Sequence, residues 1–229
     1  MKLAIVIPAH NEEKVIGAVL KSLPKKIKGI DEIVSIVVDD GSEDRTYEVA
    51  KQYADRAIKL VLNMGVGAAT ITGLEVAKKE KADIIVTMDA DGQHRVKDIQ
   101  HLIKPILSDS KDVVIGSRMK NHNGMPFVKV FGNWTMNVIT FIVFRKWTSD
   151  SQSGMKAFSK SALKKMKLHS VGYEICSEIV GEIRRNKLAF TEVPIEVVYT
   201  DYSRAKGQDI LNAVNILTKS IAIRIGRQK

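Results

Sequence analysis

Cys176 is the only thiol in this 229-residue chain, so no disulfide can close within it, and the composition fits a reducing compartment. Aromatic residues are scarce at 6%, and no apolar stretch reaches the ~20 residues that a membrane-spanning helix needs. The amino terminus enters a strand-like run within three residues, which leaves no room for a charged leader and an apolar signal segment. These features together lead us to expect a cytoplasmic protein. The early strand-GxGxxG turn of a Rossmann dinucleotide enzyme is missing as well. Acid is locally absent: no Asp or Glu occurs between Met119 and Ser149, in a chain with 36 basic and 26 acidic residues and a formal charge of +10.

What remains alternates between two periods. Leu3–Ile7 reads as a buried strand, and a helix follows in which Val15, Ile16, Val19, Leu20 and Leu23 share one apolar face, with Asn11 as its cap and Pro24 as its stop. Strands near 33–38, 57–62, 83–88 and 112–116 are separated by helices near 44–54, 66–80 and 96–107. This order predicts an α/β fold with a mostly parallel sheet, right-handed crossovers and flanking helices. Gly65, Gly67 and Gly73 sit at or in the 66–80 helix and leave room for close approach of a ligand or of neighbouring backbone. The length suits one globular domain over residues 1–200, followed at 201–229 by a late loop and a basic amphipathic helix.

Carboxylates cluster where the strands end. Ile84–Met88 runs into Asp89-Ala90-Asp91-Gly92-Gln93-His94, and residues two apart on an extended segment point the same way. Asp89 and Asp91 can therefore aim two hard oxygens at one divalent cation, Mg²⁺ or Mn²⁺, whose remaining positions stay open to water and phosphate. A second pair, Asp39 and Asp40, follows the strand Ile33–Val38, and Pro8-Ala9-His10-Asn11-Glu12-Glu13 follows the first strand. In open α/β sheets the carboxyl ends of the strands border the ligand crevice.

PAHNEE (8–13), VVDDGSEDRT (37–46), LNMGVGAA (62–69), TMDADGQH (87–94), IGSRM (115–119) and SGMKAF (153–158) are together similar in order and spacing to the family 2 glycosyltransferases. The set most resembles polyprenyl-phosphate sugar transferases of the dolichol-phosphate mannose synthase type. The resemblance implies a GT-A fold, a nucleotide-diphosphate sugar donor, a divalent metal and inversion at the anomeric carbon. It further implies that Gln93 joins Asp89 and Asp91 at the metal. Pro8, Ala9, His10, Asn11, Glu12, Asp39, Asp40, Ser42 and Ala90 would line the donor site. Arg118 and the late-loop Lys206 would contact phosphate groups. Three departures stand out: His10 replaces a usual tyrosine, Arg95 replaces a common proline, and the late loop reads Arg204-Ala205-Lys206-Gly207-Gln208-Asp209.

The acid-free segment contains the apolar run Trp134–Phe144 flanked by Lys120, Lys129, Arg145 and Lys146, which predicts an in-plane membrane helix, with a helix packed on the sheet or in a dimer interface as the other reading. The carboxy-terminal region repeats the pattern with Ile210, Leu211, Val214, Leu217, Ile221 and Ile225 beside Lys219, Arg224, Arg227 and Lys229. An anionic leaflet at the inner face of the membrane suits this charge better than nucleic acid, for which no motif is present. A polyprenyl phosphate acceptor would need no strong general base, because a phosphate monoester is largely ionised near neutral pH. A sugar-hydroxyl acceptor would need one, from Glu178, Asp150 or Glu174. A nucleotidyltransferase and a non-catalytic membrane adaptor are the readings from other classes, and homo-oligomerisation is left open.

Overall fold

The computed structural model describes residues 1–108, 110–121 and 125–198. Its strands are β1 (Lys2–Ala9), β2 (Glu32–Asp39), β3 (Arg56–Lys59), β4 (Ile84–Thr87), β5 (Val113–Ser117), β6 (Lys156–Ser159) and β7 (Phe190–Pro194), in the sheet order β3-β2-β1-β4-β6-β5-β7. Neighbours pair in parallel except β6, which runs antiparallel to both β4 and β5. This is the expected α/β architecture with a mostly parallel sheet.

β1 takes an interior place, between β2 and β4, because Leu3–Ile7 is fully buried along its length, and a strand of that kind needs cover on both faces. Side-chain alternation sends Leu3, Ile5 and Ile7 into one core and Ala4 and Val6 into the other. The first core is closed by α1 (Ile16–Ser22), α2 (Thr46–Tyr53) and α4 (Asp98–Leu107), through Ile16, Leu20, Ala50, Leu102 and Ile106. The second is closed by α3 (Val66–Lys79), α6 (Lys160–Lys165) and α7 (Ile175–Arg185), through Ala69, Leu74, Leu163 and Ile179. A Cβ on Gly73 would fall 2.3 Å from Val6 Cγ1, so this glycine sets how closely α3 lies on β1.

Two local expectations change. Asn11 does not cap α1: the helix starts at Ile16, while Asn11 adopts φ +54° and its side-chain oxygen accepts from Glu43 N–H at 3.0 Å, tying two loops together. The strand expected at 57–62 stops at Lys59, opposite Asp39, because β2 turns away at Gly41 with φ +63°.

The apolar segment forms α5 (Phe127–Phe144), longer at its start than the Trp134–Phe144 run. By length and composition alone α5 could cross a membrane, and 22% of it is buried. Its inner side packs on α7, where Thr140 and Ser177 hydroxyls lie 2.9 Å apart and Phe144 covers Gly181. Its outer side exposes Phe127, Val128, Phe131, Trp134, Phe141 and Ile142.

Candidate active site

Strand register assembles the site. Ala9 lies opposite Asp39 and Val6 opposite Thr87, so the segments after β1, β2 and β4 emerge on one edge of the sheet. The antiparallel β6 enters at that edge, with Lys156 opposite Thr87 and Ile115. Arg118 follows β5 there.

At the β2 end, Asp39 is fully buried. Its Oδ1 accepts from the Ser42 hydroxyl, and its Oδ2 has no hydrogen-bond partner among the described residues, with Lys59 Nζ 3.9 Å away. A buried carboxylate oxygen in that condition is costly unless a ligand donor meets it. Asp40 is used differently: its two oxygens accept from Met64 and Gly65 N–H groups, each at 2.8 Å, and so shape the loop before α3. His10 Nδ1 lies 2.9 Å from the Asp40 carbonyl, and its Nε2 meets the Asn11 and Asn63 amides at 3.2 and 3.1 Å. Ser42 Oγ also accepts from Asn11 N–H at 2.9 Å, and Ala9 O accepts from Asp40 N–H at 2.8 Å. Glu12 is buried, its N–H bonded to Thr46 Oγ1 and its carbonyl to the first N–H groups of α1. Pro8 and Ala9 close the end of β1, and Ala90 is buried between the two aspartates.

At the β4 end, Asp89 Oδ2 lies 2.9 Å from His94 Nε2. A Cβ on Gly154 would fall 2.2 Å from Asp89 Oδ1, so only glycine leaves room for this carboxylate. Asp91 accepts from Gln93 N–H at 3.0 Å and from its side-chain amide at 2.7 Å. Partial burial raises the Asp89 carboxyl, but the His94 hydrogen bond and charge, with Arg118 and Lys156 nearby, outweigh it and hold Asp89 below the ordinary carboxylate range. Asp91 goes the other way, raised by burial and then by the negative charge of Asp89.

Two carboxylates and an amide are hard oxygen donors that suit Mg²⁺ or Mn²⁺. Among the described residues no group of three or more His, Cys, Asp or Glu could hold an ion. Asp89 and Asp91 with the Gln93 amide fit the mode in which the protein gives one or two carboxylates and a phosphate completes the shell.

Arg118 stands near enough to Asp89 to act on its charge. Its Nε and Nη2 donate to the two Asp150 oxygens at 2.8 and 2.7 Å, and its backbone N–H donates to Asp150 Oδ2 at 2.9 Å. Asp150 and Glu178 are both fully buried. Glu178 accepts from the N–H groups of His169 and Ser170, the shortest at 2.8 Å, and Glu174 accepts from Gly172 N–H at 3.1 Å. Lys206 and the expected carboxy-terminal helix lie outside the described residues.

Sequence reading gave no role to His94, Gly154 or Lys156. Lys156 is buried at the start of β6, its ammonium donating to the Ser153 carbonyl. The motifs TMDADGQH and SGMKAF contain all three, but only the fold brings those segments together.

A central mostly parallel sheet with acids gathered along one carboxyl edge is the GT-A glycosyltransferase arrangement. Residues 4–167 match the model described as "Glycosyl transferase family 2", and the chain belongs to that family of enzymes. It is 42% identical over 245 residues to the UDP-N-acetylglucosamine–dolichyl-phosphate N-acetylglucosaminyltransferase of Methanococcus voltae, covering 97% of this chain and 96% of the relative. Identity to the dolichol-phosphate mannosyltransferase of Pyrococcus furiosus is 29% over 225 residues, with 94% of this chain and 61% of that longer relative covered. Among solved structures, glucosyl-3-phosphoglycerate synthase from Mycobacterium tuberculosis with Mn²⁺ and UDP-glucose is similar in fold, with TM-score 0.70 at 20% identity over 99% of this chain and 78% of that one.

Proposed function

We propose that this enzyme transfers a sugar from a nucleotide-diphosphate sugar to a polyprenyl phosphate of the dolichyl type, with inversion, at the cytoplasmic face of a membrane. The observation that carries the reading is the Asp89–Asp91 pair at the end of β4, beside the Arg118 guanidinium, in a chain closely similar to a dolichyl-phosphate N-acetylglucosaminyltransferase. By that similarity UDP-N-acetylglucosamine is the donor to try first.

Asp39 Oδ2 accepts from the base or ribose of the donor, within a pocket formed by the loops that Asp40, Ser42, Asn11 and His10 tie together. Asp89, Asp91 and Gln93 hold Mg²⁺ or Mn²⁺. When bound, the cation supplies Lewis acidity toward the departing diphosphate. Arg118, held in place by the Asp150 fork, keeps a positive charge beside the phosphates. Since a monophosphate's second pKa is about 6, the acceptor oxygen needs little deprotonation, and orientation supplies most of the rest.

The buried and hydrogen-bonded state of Asp150, Glu178 and Glu174 supports a phosphate acceptor over a sugar hydroxyl, because none stands with a carboxylate turned to solvent as a base would. For Glu178 we propose a structural task, holding the 169–170 turn. The exposed aromatic side of α5 between Lys120, Lys129, Arg145 and Lys146 supports peripheral attachment to an anionic lipid surface.

Incubation with radiolabelled UDP-N-acetylglucosamine, Mn²⁺ and dolichyl phosphate should give a sugar-phosphate lipid of inverted anomeric configuration. Transfer to a soluble glycan, with none to the lipid phosphate, would overturn the acceptor.

A further inference from the structure

We propose that His94 is a positioning residue for Asp89, and that the Ile195–Val198 segment sets the shape of the loop that carries them both. The inference rests on the metal reading above and assigns what holds the carboxylate pair in place.

The imidazole of His94 is almost completely buried at 3% exposure, whereas the Asp89 side chain is 42% exposed. The rigid partner is therefore the ring, and the carboxylate takes its orientation from it. An ionised carboxylate only accepts, so Nε2 carries the hydrogen. Nδ1 is buried without a hydrogen-bond partner among the described residues, so the ring's one polar contact described is the one to Asp89. Gly154, in the segment before β6, lies against the same carboxylate, which limits its rotamers from a second direction. Asp91 is held from within the loop by the backbone and amide of Gln93. Both carboxylates thus depend on adjacent residues, Gln93 and His94, and their mutual geometry depends on the path of that loop.

That path is fixed from outside by the chain after β7. Val198 N–H donates to Gln93 O at 2.9 Å, and His94 forms an antiparallel bridge with Val197. Glu196 N–H donates to Asp98 Oδ2 at 2.9 Å, and Ile195 N–H to Ser117 O at 3.1 Å. The side chains add an Arg95–Glu196 ion pair, with Lys97 Nζ 3.3 Å from the same carboxylate. Arg95, in place of a proline, supplies a charge that ties the loop to this segment. Outer hydrogen bonds that orient metal ligands typically govern 10–100-fold in metal affinity.

The test is calorimetric titration of Mn²⁺ into the full chain with UDP present, with thermal melting as a check that each variant is folded. His94→Ala should bind Mn²⁺ about 10–100-fold more weakly, and His94→Gln, which keeps an N–H donor, should recover part of the loss. His94→Phe keeps the ring volume without the donor, and carries the comparison if the alanine variant does not fold. Glu196→Arg should also weaken Mn²⁺ binding, and the charge swap Arg95→Glu with Glu196→Arg should restore some of it. Wild-type Mn²⁺ affinity in a folded His94→Phe or His94→Ala protein would overturn the assignment, as a buried ring serving packing alone would leave affinity unchanged. Absence of Mn²⁺ binding by the wild type would instead overturn the metal reading and this inference with it.

Discussion

Asp89 and Asp91 lie two residues apart and respond to the fold with opposite sign. Asp89 is held below the ordinary carboxylate range, so the stability it contributes is present above its unfolded pKa and is lost as pH falls through the folded value. Asp91 is raised, so its favourable state is the protonated one, fully present below the unfolded pKa and lost as pH rises through the folded value. At neutral pH without metal, Asp91→Asn should therefore raise the melting temperature, while Asp89→Ala should lower it. The Asp91→Asn gain should vanish as pH falls to about 4, the unperturbed carboxylate value. Sugar transfer should be lost in both variants and, in the wild type, in EDTA. Glu178 separates a base from a structural carboxylate: Glu178→Ala removes the acceptor of the His169 and Ser170 N–H groups, and the buried Ser170 N–H left unpaired costs about 1–3 kcal/mol. Glu178→Gln keeps an acceptor and should retain measurable transfer, which would be abolished if Glu178 were the base.

Among the elements, the loop after β2 shows how narrow the tolerance is. Gly41 combines φ +63° with space so tight that a Cβ would lie 2.6 Å from Asn63 N. Gly41→Ala should cost at least the 1–3 kcal/mol typical of strained backbone, roughly, read by chemical denaturation. Gly154→Ala should instead spare most stability and abolish transfer, because its Cβ would displace the Asp89 carboxylate. Strands β1 to β5 and the helices α1 to α5 were legible in the sequence because buried runs such as Ile33–Val38 and the spaced apolar residues of α1 declare their period, whereas β6, β7, α6 and α7 were not read. Asp89 and Asp91 were legible because their spacing is local. The contacts of Gly154 and Lys156 were not, since β6 meets β4 only through an antiparallel pairing between distant segments. Asn11 looked like a cap for the usual reason, a short polar side chain before an apolar helix, yet its positive φ and its bond to Glu43 gave it to the neighbouring loop.

For the whole molecule, the test is attachment. Vesicle co-sedimentation should show more binding to anionic than to neutral lipid, weakened by salt, with Phe131→Ser and Trp134→Ser reducing it while the melting temperature holds. Equal binding to both vesicle types would remove the electrostatic part. The antiparallel direction of β6 has one more consequence. The chain leaves that edge after Ser117, makes α5, and returns to the same edge at Lys156, with Thr148 and Ser149 bonded to Glu192 of β7 on the way. Such a detour can be lengthened, shortened or given a new outer surface without altering the register of β1, β2 and β4. The two ends of the excursion, with Arg118, Asp150 and Gly154, are bound to the site at Asp89, whereas the outer side of α5 between them faces solvent and can change without moving the strand ends.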